Sequence, residues 1–285
     1  MSAAGPPLLI ITADDFGLTE GISRAIVRAH EQGIVTATSV LAVGRAFESG
    51  ARMLRDAPGL AVGGHLAIVG EDPPLLSAAE VPTLVDRRGR FPLSYRTVVR
   101  RAALGRIDPD DVAREFAAQL AAIRAQGLRV GHLDTHQHTH LWPSIARTVV
   151  DLARAEGIGV VRRPGSAQRG ATGRGVRLLG RRLDRRLAAA GLAATACYAG
   201  LDEAGALDRA GLSAALLRAT DARADSVEVN THPGEGADLD LARFAWSYSW
   251  AAELELLTDP GVADTIRRLG YRLGPPADLL RGSDG

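Results

Sequence analysis

Leu8-Leu9-Ile10-Ile11-Thr12-Ala13-Asp14-Asp15-Phe16-Gly17 is the stretch on which the fold turns. Leu8 to Thr12 is a continuous apolar run of strand length, and it leads into two carboxylates and a glycine. That is the form of a strand covered on both faces that opens into a loop. Strands of this kind sit in parallel sheets and are joined by helices, and the downstream sequence alternates accordingly. A helix is expected over about residues 21–32, closed by Gly33. A β-branched strand follows over 36–43, then a helix around 46–56 and a third strand, 60–64, that stops at His65.

Residues 67–107 break this rhythm with Pro73-Pro74, Pro82, the turn-like Asp86-Arg87-Arg88-Gly89 and Pro92, and a connection of that length reads as a lid or binding loop. Asp108 then caps a helix with Pro109 at its first position and an apolar face through Val112, Phe116, Leu120 and Ile123. A fourth strand is expected over 128–133, a helix from Pro143 to about residue 156, a fifth strand over 159–162, and a sixth over 226–230 that ends at His232-Pro233. Residues 165–205 read as a second insertion. Helices over about 240–257 and 260–269, a short strand around 271–273 and a flexible tail from about 274 complete the chain. The expected architecture is α/β: one domain over 1–285, a distorted (β/α) barrel of the TIM type with mainly parallel strands.

With 46% hydrophobic residues among 285, the chain can bury the core of a whole barrel. Its formal charge of +1 gives no overall pull toward nucleic acid or acidic lipid. All 34 basic residues are arginine, which removes Schiff-base chemistry, pyridoxal-phosphate attachment and the P-loop lysine together. The single cysteine, Cys197, excludes an intramolecular disulfide and a CxxC motif. The start, residues 1–7, has no basic leader, and no apolar run approaches the roughly 18 residues of a membrane span. A cytoplasmic protein without stable membrane insertion is expected, and a homo-oligomer is compatible with it. The seven arginines from Arg169 to Arg186 read as a solvated helical face more readily than as a basic rim for an anionic ligand or a nucleic-acid surface.

Four of the seven histidines fall within Gly131-His132-Leu133-Asp134-Thr135-His136-Gln137-His138-Thr139-His140. Alternate side chains of an extended segment share a face, here His132, Asp134, His136, His138 and His140. Neutral imidazole is the commonest metal ligand and a neighbouring carboxylate fixes its tautomer. The pattern therefore points to a divalent-metal site, with a polar histidine-rich loop as the plainer alternative. Asp14 and Asp15 follow the first strand, His65 the third and the cluster the fourth, while Arg162 sits at the fifth and His232 follows the sixth. The carboxyl ends of barrel strands share one face, where active sites form, so scattered polar residues become one pocket. Adjacent carboxylates point in different directions, so one of Asp14 and Asp15 can bind metal while the other handles a proton. His65, Asp15 and one histidine of the cluster would supply two nitrogens and a carboxylate with coordination positions left open. Helix capping for Asp14-Asp15 and core packing for His65 are the competing explanations. For His30, a favourable position near a helix C-terminus is explanation enough.

Thr12-Ala13-Asp14-Asp15-Phe16-Gly17-Leu18, Gly64-His65-Leu66, His132 to His140 and Thr231-His232-Pro233 together resemble the motifs of the YdjC-like carbohydrate deacetylases, in the same order from Leu8 to about Leu273. That family includes chitooligosaccharide deacetylases and hopanoid-biosynthesis-associated members. The resemblance implies a distorted (β/α) barrel that removes N-acetyl groups from amino sugars with a divalent metal. Carried onto this chain, it implies Asp15, His65 and His136 as metal ligands, Asp14 as catalytic base, His232 as general acid and Arg162 as an arginine after the fifth strand. Val81-Pro82-Thr83-Leu84-Val85-Asp86 and Gly89-Arg90-Phe91 are similar to the hopanoid-associated branch, whereas Asp134-Thr135-His136-Gln137-His138 departs from the Asn-Ala-His-Lys-His expected there.

On this reading the substrate is an N-acetylated amino sugar, an oligosaccharide or a lipid-linked glycoside, and acetate is released. The metal would activate water and polarise the acetyl carbonyl, Asp14 would take the water proton, His232 would protonate the departing amine, and Arg162 would orient Asp14. Nitrogen-rich ligation favours zinc, cobalt, nickel or manganese, and the resemblance keeps magnesium in the set. His138, His140 and Asp134 are expected around the ligands rather than as ligands. Trp142, Trp246, Tyr248 and Trp250 are candidates for a sugar platform, although the last three fall on one expected helix, where core packing is the default. Two other readings stay open: a metal-dependent phosphoesterase or amidohydrolase, and a non-catalytic carbohydrate- or metal-binding barrel.

Overall fold

A computed structural model describes residues 5–281. Residues 1–4 and residues 282–285, the last of the expected tail, lie outside the described residues. β1 (Leu8–Phe16) is buried at every position because both of its faces are covered. Leu9, Ile11 and Ala13 join the large core beneath the helices, while Leu8 and Ile10 meet Ala37 in a smaller cluster on the other face. The repeat continues with α1 (Glu20–Glu31), β2 (Ala37–Val40), α2 (Phe47–Asp56), β3 (Ala61–Leu66), α3 (Tyr95–Ala103), α4 (Pro109–Ala125), β4 (Val130–Thr135), α5 (Pro143–Ala155) and β5 (Val160–Val161). It ends with α6 (Ala171–Ala189), β6 (Cys197–Ala199), α7 (Arg209–Asp221), β7 (Ser226–Thr231), α8 (Trp250–Thr258), α9 (Pro260–Arg268), β8 (Arg272–Leu273) and α10 (Asp278–Arg281).

Every strand pairing is parallel, in the order β5-β4-β3-β2-β1-β7-β6, with β8 on β1. The expected distorted (β/α) barrel is thus a single α/β domain whose sheet curls into a half-barrel. Its ends are β5 and β6, and a lone parallel bridge links Val160 of β5 to Ala193 in the segment before β6. Two and three residues make too short a ladder to close the wall. Among the described residues no helix is long and apolar enough to cross a membrane.

Three segments differ from their reading in the sequence. Residues 165–205, expected as an insertion, contain α6 and β6, and with α7 they complete regular β-α-β units. Six of the seven arginines, Arg174 to Arg186, lie along α6, whose inward side is Gly173, Gly180, Leu183 and Leu187. The helix expected over 240–257 is instead a 3-10 turn (Leu239–Arg243), an irregular stretch through residue 249, and α8. Phe244, Trp246, Tyr248 and Trp250 recur at every second position, and the stretch between turn and helix follows that period of two rather than 3.6. Over the described residues the chain from Gly274 is tied to the domain: Gly274 N–H donates to Leu9 O at 3.1 Å, and Leu279 packs on the Leu8, Ile10 and Ala37 cluster.

The long connection 67–107 is held down by a polar stripe on α4 that runs beside the expected apolar face. Asp111 accepts from Thr83 N–H at 2.8 Å, Glu115 from the N–H groups of Leu75 and Leu76 at 2.9 and 3.1 Å, and Gln119 Oε1 from Ala67 N–H at 2.8 Å. All three side chains are buried. At positions i, i+4 and i+8 they share one line along the helix, and they satisfy backbone donors that a loop packed against a helix would otherwise leave bare.

Candidate active site

The register between β1 and β2 shifts between Ala13 and Phe16, and Asp15 has φ +66°. A bulge re-aims side chains, and here it turns both neighbouring carboxylates into the barrel mouth. Asp14 points to Arg162 and Asp15 to His65 and His136. A non-glycine residue held at positive φ is a strained conformation of the kind that collects at functional sites. The histidine loop has two more, Gln137 (φ +51°) and His138 (φ +53°), where the extended alternation of β4 stops and a 3-10 turn (His136–Leu141) begins. The shared face anticipated through His140 therefore ends at His136.

Asp15 Oδ1, His65 Nε2 and His136 Nδ1 converge. Asp15 to His136 is 3.0 Å, Asp15 to His65 3.3 Å, and His65 to His136 3.2 Å. Three donors at that mutual spacing match ligands on one side of an ion with bonds of about 2.1 Å. Asp15 Oδ1 is buried and makes no hydrogen bond of acceptable geometry among the described residues, as an atom reserved for a cation would be. Burial opposes the charge of Asp15, but His136 and His65 hold its carboxyl well below the ordinary range. His65 Nδ1–H donates to Asp134 Oδ1, which turns the Nε2 lone pair toward the triad. Against burial, the carboxylates of Asp134 and Asp14 raise His65 to about 10 without an ion, so a cation and a proton would compete for the same nitrogen.

Arg162 lies beneath this triad, fully buried, and serves three carboxylates. Its Nη1 and Nη2 donate to Asp14 Oδ2 and Oδ1 at 2.7 and 2.8 Å, Nη2 lies 3.0 Å from Asp134 Oδ2, and Nε donates to Glu228 Oε1 at 2.8 Å. Thr12 Oγ1 donates to the same Glu228 oxygen at 2.9 Å, and Ser39 Oγ to Asp134 Oδ2 at 2.5 Å. Burial works against the charge of Asp134, yet Arg162 and His65 keep its carboxyl far below its ordinary value. Burial pushes Glu228 upward against the pull of Arg162.

His232 stands on the other side of Asp14. Its N–H donates to the buried Glu253 at 2.7 Å, its ring lies 5.0 Å from that of Tyr248, and its Nδ1 is buried without a hydrogen-bond partner among the described residues. The structure thus brings Asp14, Asp15, His65, His136, Arg162 and His232 together at one end of the barrel. His140 does not join them: its ring nitrogens pair with Thr135 Oγ1 at 2.7 Å and Arg162 O at 3.0 Å, fastening the loop to the start of the next segment. His132 sits lower, 3.3 Å from Ser39 Oγ, in space left by Gly63, where a Cβ would collide with its ring. Burial lowers both His132 and His140 to about 4, so both are neutral near pH 7.

Three participants, Glu228, Asn230 and Tyr198, escape the sequence reading. Glu228 and Asn230 alternate with Val229 along β7 in step with His232, a period-two polar face in a buried strand that carried the signal. Tyr198 lies on the unrecognised β6. Trp246 and Tyr248, already candidates for a sugar platform in the sequence, come to the site because their segment is not the expected helix. Trp246 lies 5.4 Å from the ring of His136, and both side chains are half-buried between the buried anchors Phe244 and Trp250.

A half-barrel with a buried two-histidine, one-aspartate triad beside an arginine-clamped carboxylate defines the class of this molecule. The chain belongs to the family described as YdjC-like protein, whose profile matches residues 8–268. A chitooligosaccharide deacetylase of Klebsiella pneumoniae is 30% identical over 287 residues, covering 95% of this chain and 99% of that protein. A carbohydrate deacetylase of Brevibacillus brevis is 34% identical over 145 residues, 51% of this chain and 55% of the relative. Among solved structures, an Enterococcus faecalis protein provisionally assigned to cellobiose-phosphate cleavage aligns with a TM-score of 0.76 and 25% identity, covering 96% of this chain and 99% of that one.

Proposed function

We propose that this chain is a divalent-metal-dependent hydrolase that removes the N-acetyl group from an amino sugar, releasing acetate and the free amine. The observation that carries the reading is the juxtaposition of a metal-spaced triad, Asp15, His65 and His136, with a clamped carboxylate, Asp14, and a histidine, His232, each positioned to handle a proton. The full-length similarity to a chitooligosaccharide deacetylase supports the substrate class.

When bound by the triad, a divalent ion supplies polarisation of the acetyl carbonyl and a more acidic water. Zinc, cobalt, nickel and manganese suit the two nitrogens best, and magnesium belongs to the same panel. Asp14 accepts the water proton on Oδ1, which takes one hydrogen bond, from Arg162 Nη2, and keeps a lone pair free. Arg162 fixes the plane of that carboxylate through its two-pronged grip. His232 delivers a proton to the departing nitrogen. Trp246 and Tyr248 form the wall against which the sugar ring rests. The lone Cys197 suits a reducing, cytoplasmic location.

The test is acetate release from N-acetylated sugars, monomeric, oligomeric and lipid-linked, by protein stripped with a chelator and reloaded with each metal in turn. The Asp14→Asn and His136→Ala variants run alongside. Activity that needs the ion and disappears in both variants is the expected result. Tight sugar or metal binding with no acetate from any substrate would replace the reading with that of a binding protein.

A further inference from the structure

We propose that Tyr198 and Asn230 form a positioning pair that fixes the base, Asp14, against the acid, His232. The inference rests on the deacetylase reading above and goes beyond it, because neither residue belongs to the metal triad or the acid–base pair.

The argument begins with the amide of Asn230, which has two donors on Nδ2 and an acceptor at Oδ1. Tyr198 Oη donates to Oδ1 at 2.7 Å. With its oxygen so engaged, the amide must turn Nδ2 the other way, where it donates to Asp14 Oδ2 at 3.2 Å and lies 3.5 Å from His232 Nε2. A flipped amide would set its oxygen against the Asp14 carboxylate and its NH₂ against a phenol whose proton is already directed there. The acceptor-only Asp14 carboxylate and the donating Tyr198 hydroxyl together hold the orientation in which one Asn230 nitrogen faces both proton-handling groups. Burial pushes the Tyr198 phenol well above its ordinary value, so it remains a donor.

Two further features favour a built arrangement. Gly200, at φ +105°, follows β6 where a Cβ would collide with both Oδ1 and the carbonyl oxygen of Asn230. The chain thus passes Asn230 with no side chain between, which brings the Tyr198 hydroxyl within reach. The same hydroxyl lies 3.3 Å from His138 Nε2. Since its proton goes to Asn230, the histidine must donate, and the hydroxyl links the loop that carries His136 to the acid–base side of the site. Positions of this type, one step removed from the reacting groups, typically alter activity about 10- to 100-fold when lost.

The test compares wild type, Tyr198→Phe, Asn230→Ala and the double variant, all metal-loaded, on the acetylated sugar that wild type hydrolyses best. Metal content and thermal midpoint are measured on the same samples. The expected result is a kcat lowered about 10- to 100-fold in each single variant, with KM and metal stoichiometry unchanged and a double-variant loss no larger than that of Asn230→Ala alone. That non-additivity marks two groups acting as one unit. Should Asn230→Ala fail to fold, Tyr198→Phe, which removes a single oxygen, decides alone. Wild-type kcat in Tyr198→Phe, or losses that multiply in the double variant, overturn the pair while leaving the deacetylase reading intact. No acetate release by wild type overturns both.

Discussion

Arg162 grips Asp14 by both carboxylate oxygens, at 2.7 and 2.8 Å, from a guanidinium that solvent does not reach. The same guanidinium also meets Asp134 and Glu228, so one cation balances three buried acids. Removing one member of such a group leaves the others uncompensated, which typically costs about 3–5 kcal/mol. Arg162→Met should therefore lower unfolding stability by that order in urea titrations at neutral pH. Arg162→Lys restores one charge without the fork, so it should recover part of the stability and little of the activity. Unchanged stability in the Met variant would mean the three acids are neutral in the fold.

Asp134 joins the two halves of the site, accepting from His65 Nδ1 and lying 3.0 Å from Arg162 Nη2. Asp134→Asn keeps the shape but removes the charge that fixes the His65 tautomer. Its metal affinity should fall about 10- to 100-fold, read by competition with a chromophoric chelator. Ser39→Ala, which removes the 2.5 Å bond to Asp134 Oδ2 and the 3.3 Å contact with His132 Nε2 but keeps the Asp134 charge, should lose much less.

The pH dependence of the ion-free protein follows from opposed shifts. His65 is raised, so its contribution to stability is fully present below its ordinary 6.5 and is lost as pH climbs toward about 10. Asp15 and Asp134 are lowered, so their contributions are present above their ordinary 3.8 and are lost as pH falls through the acid range. The thermal midpoint of chelator-treated protein should decline from pH 6.5 to 10. Metal-loaded protein should hold its midpoint across that range, because the ion takes the place of the His65 proton. A flat profile for the ion-free form would contradict the arrangement of carboxylates around His65.

The positions of these groups were legible in the sequence where a strand was legible. β1, β3, β4 and β7 carry polar residues at or just past their carboxyl ends, and the carboxyl ends of parallel strands share one face, so Asp14, Asp15, His65, His136 and His232 could be gathered from the sequence. The bulge at Asp14-Asp15 was not, because a positive φ at an aspartate leaves no trace in apolar periodicity. β6 escaped because three residues, Cys197 to Ala199, give no period to count, and Tyr198 was lost with them. The aromatic stretch was misread for a different reason: spacing of two and a nearby helix of similar composition compete within one window.

Glu115 is the clearest test of how the long connection is held. Its two oxygens accept from Leu75 and Leu76 N–H, and Gln119 Nε2 donates to it at 2.8 Å. Glu115→Ala leaves these donors bare, at about 1–3 kcal/mol for an unsatisfied buried group. The expected outcome is a lower thermal midpoint together with faster limited proteolysis within 67–107. Equal cleavage rates in variant and wild type would show that the apolar contacts of Val81, Leu84 and Phe91 suffice.

Trp246 lies 5.4 Å from the ring of His136, and Tyr248 lies 5.0 Å from that of His232, so two half-buried aromatic rings flank the triad and the proposed acid. A sugar seated over the triad would cover them. Trp246→Ala removes a contact surface without touching a ligand atom, so the metal should stay and the loss should fall on substrate capture. KM for an oligomeric substrate should rise about tenfold, equivalent to ~1.4 kcal/mol of ring contact, with kcat changed far less. In wild type the same sugar should alter tryptophan fluorescence, and in the variant the Trp246 share of that change should vanish, because Trp250 is buried behind Trp246 and the half-buried Trp142 is the one other indole that is not buried. An unchanged KM with a collapsed kcat would instead make Trp246 a support for His136, and the wall would reduce to Tyr248.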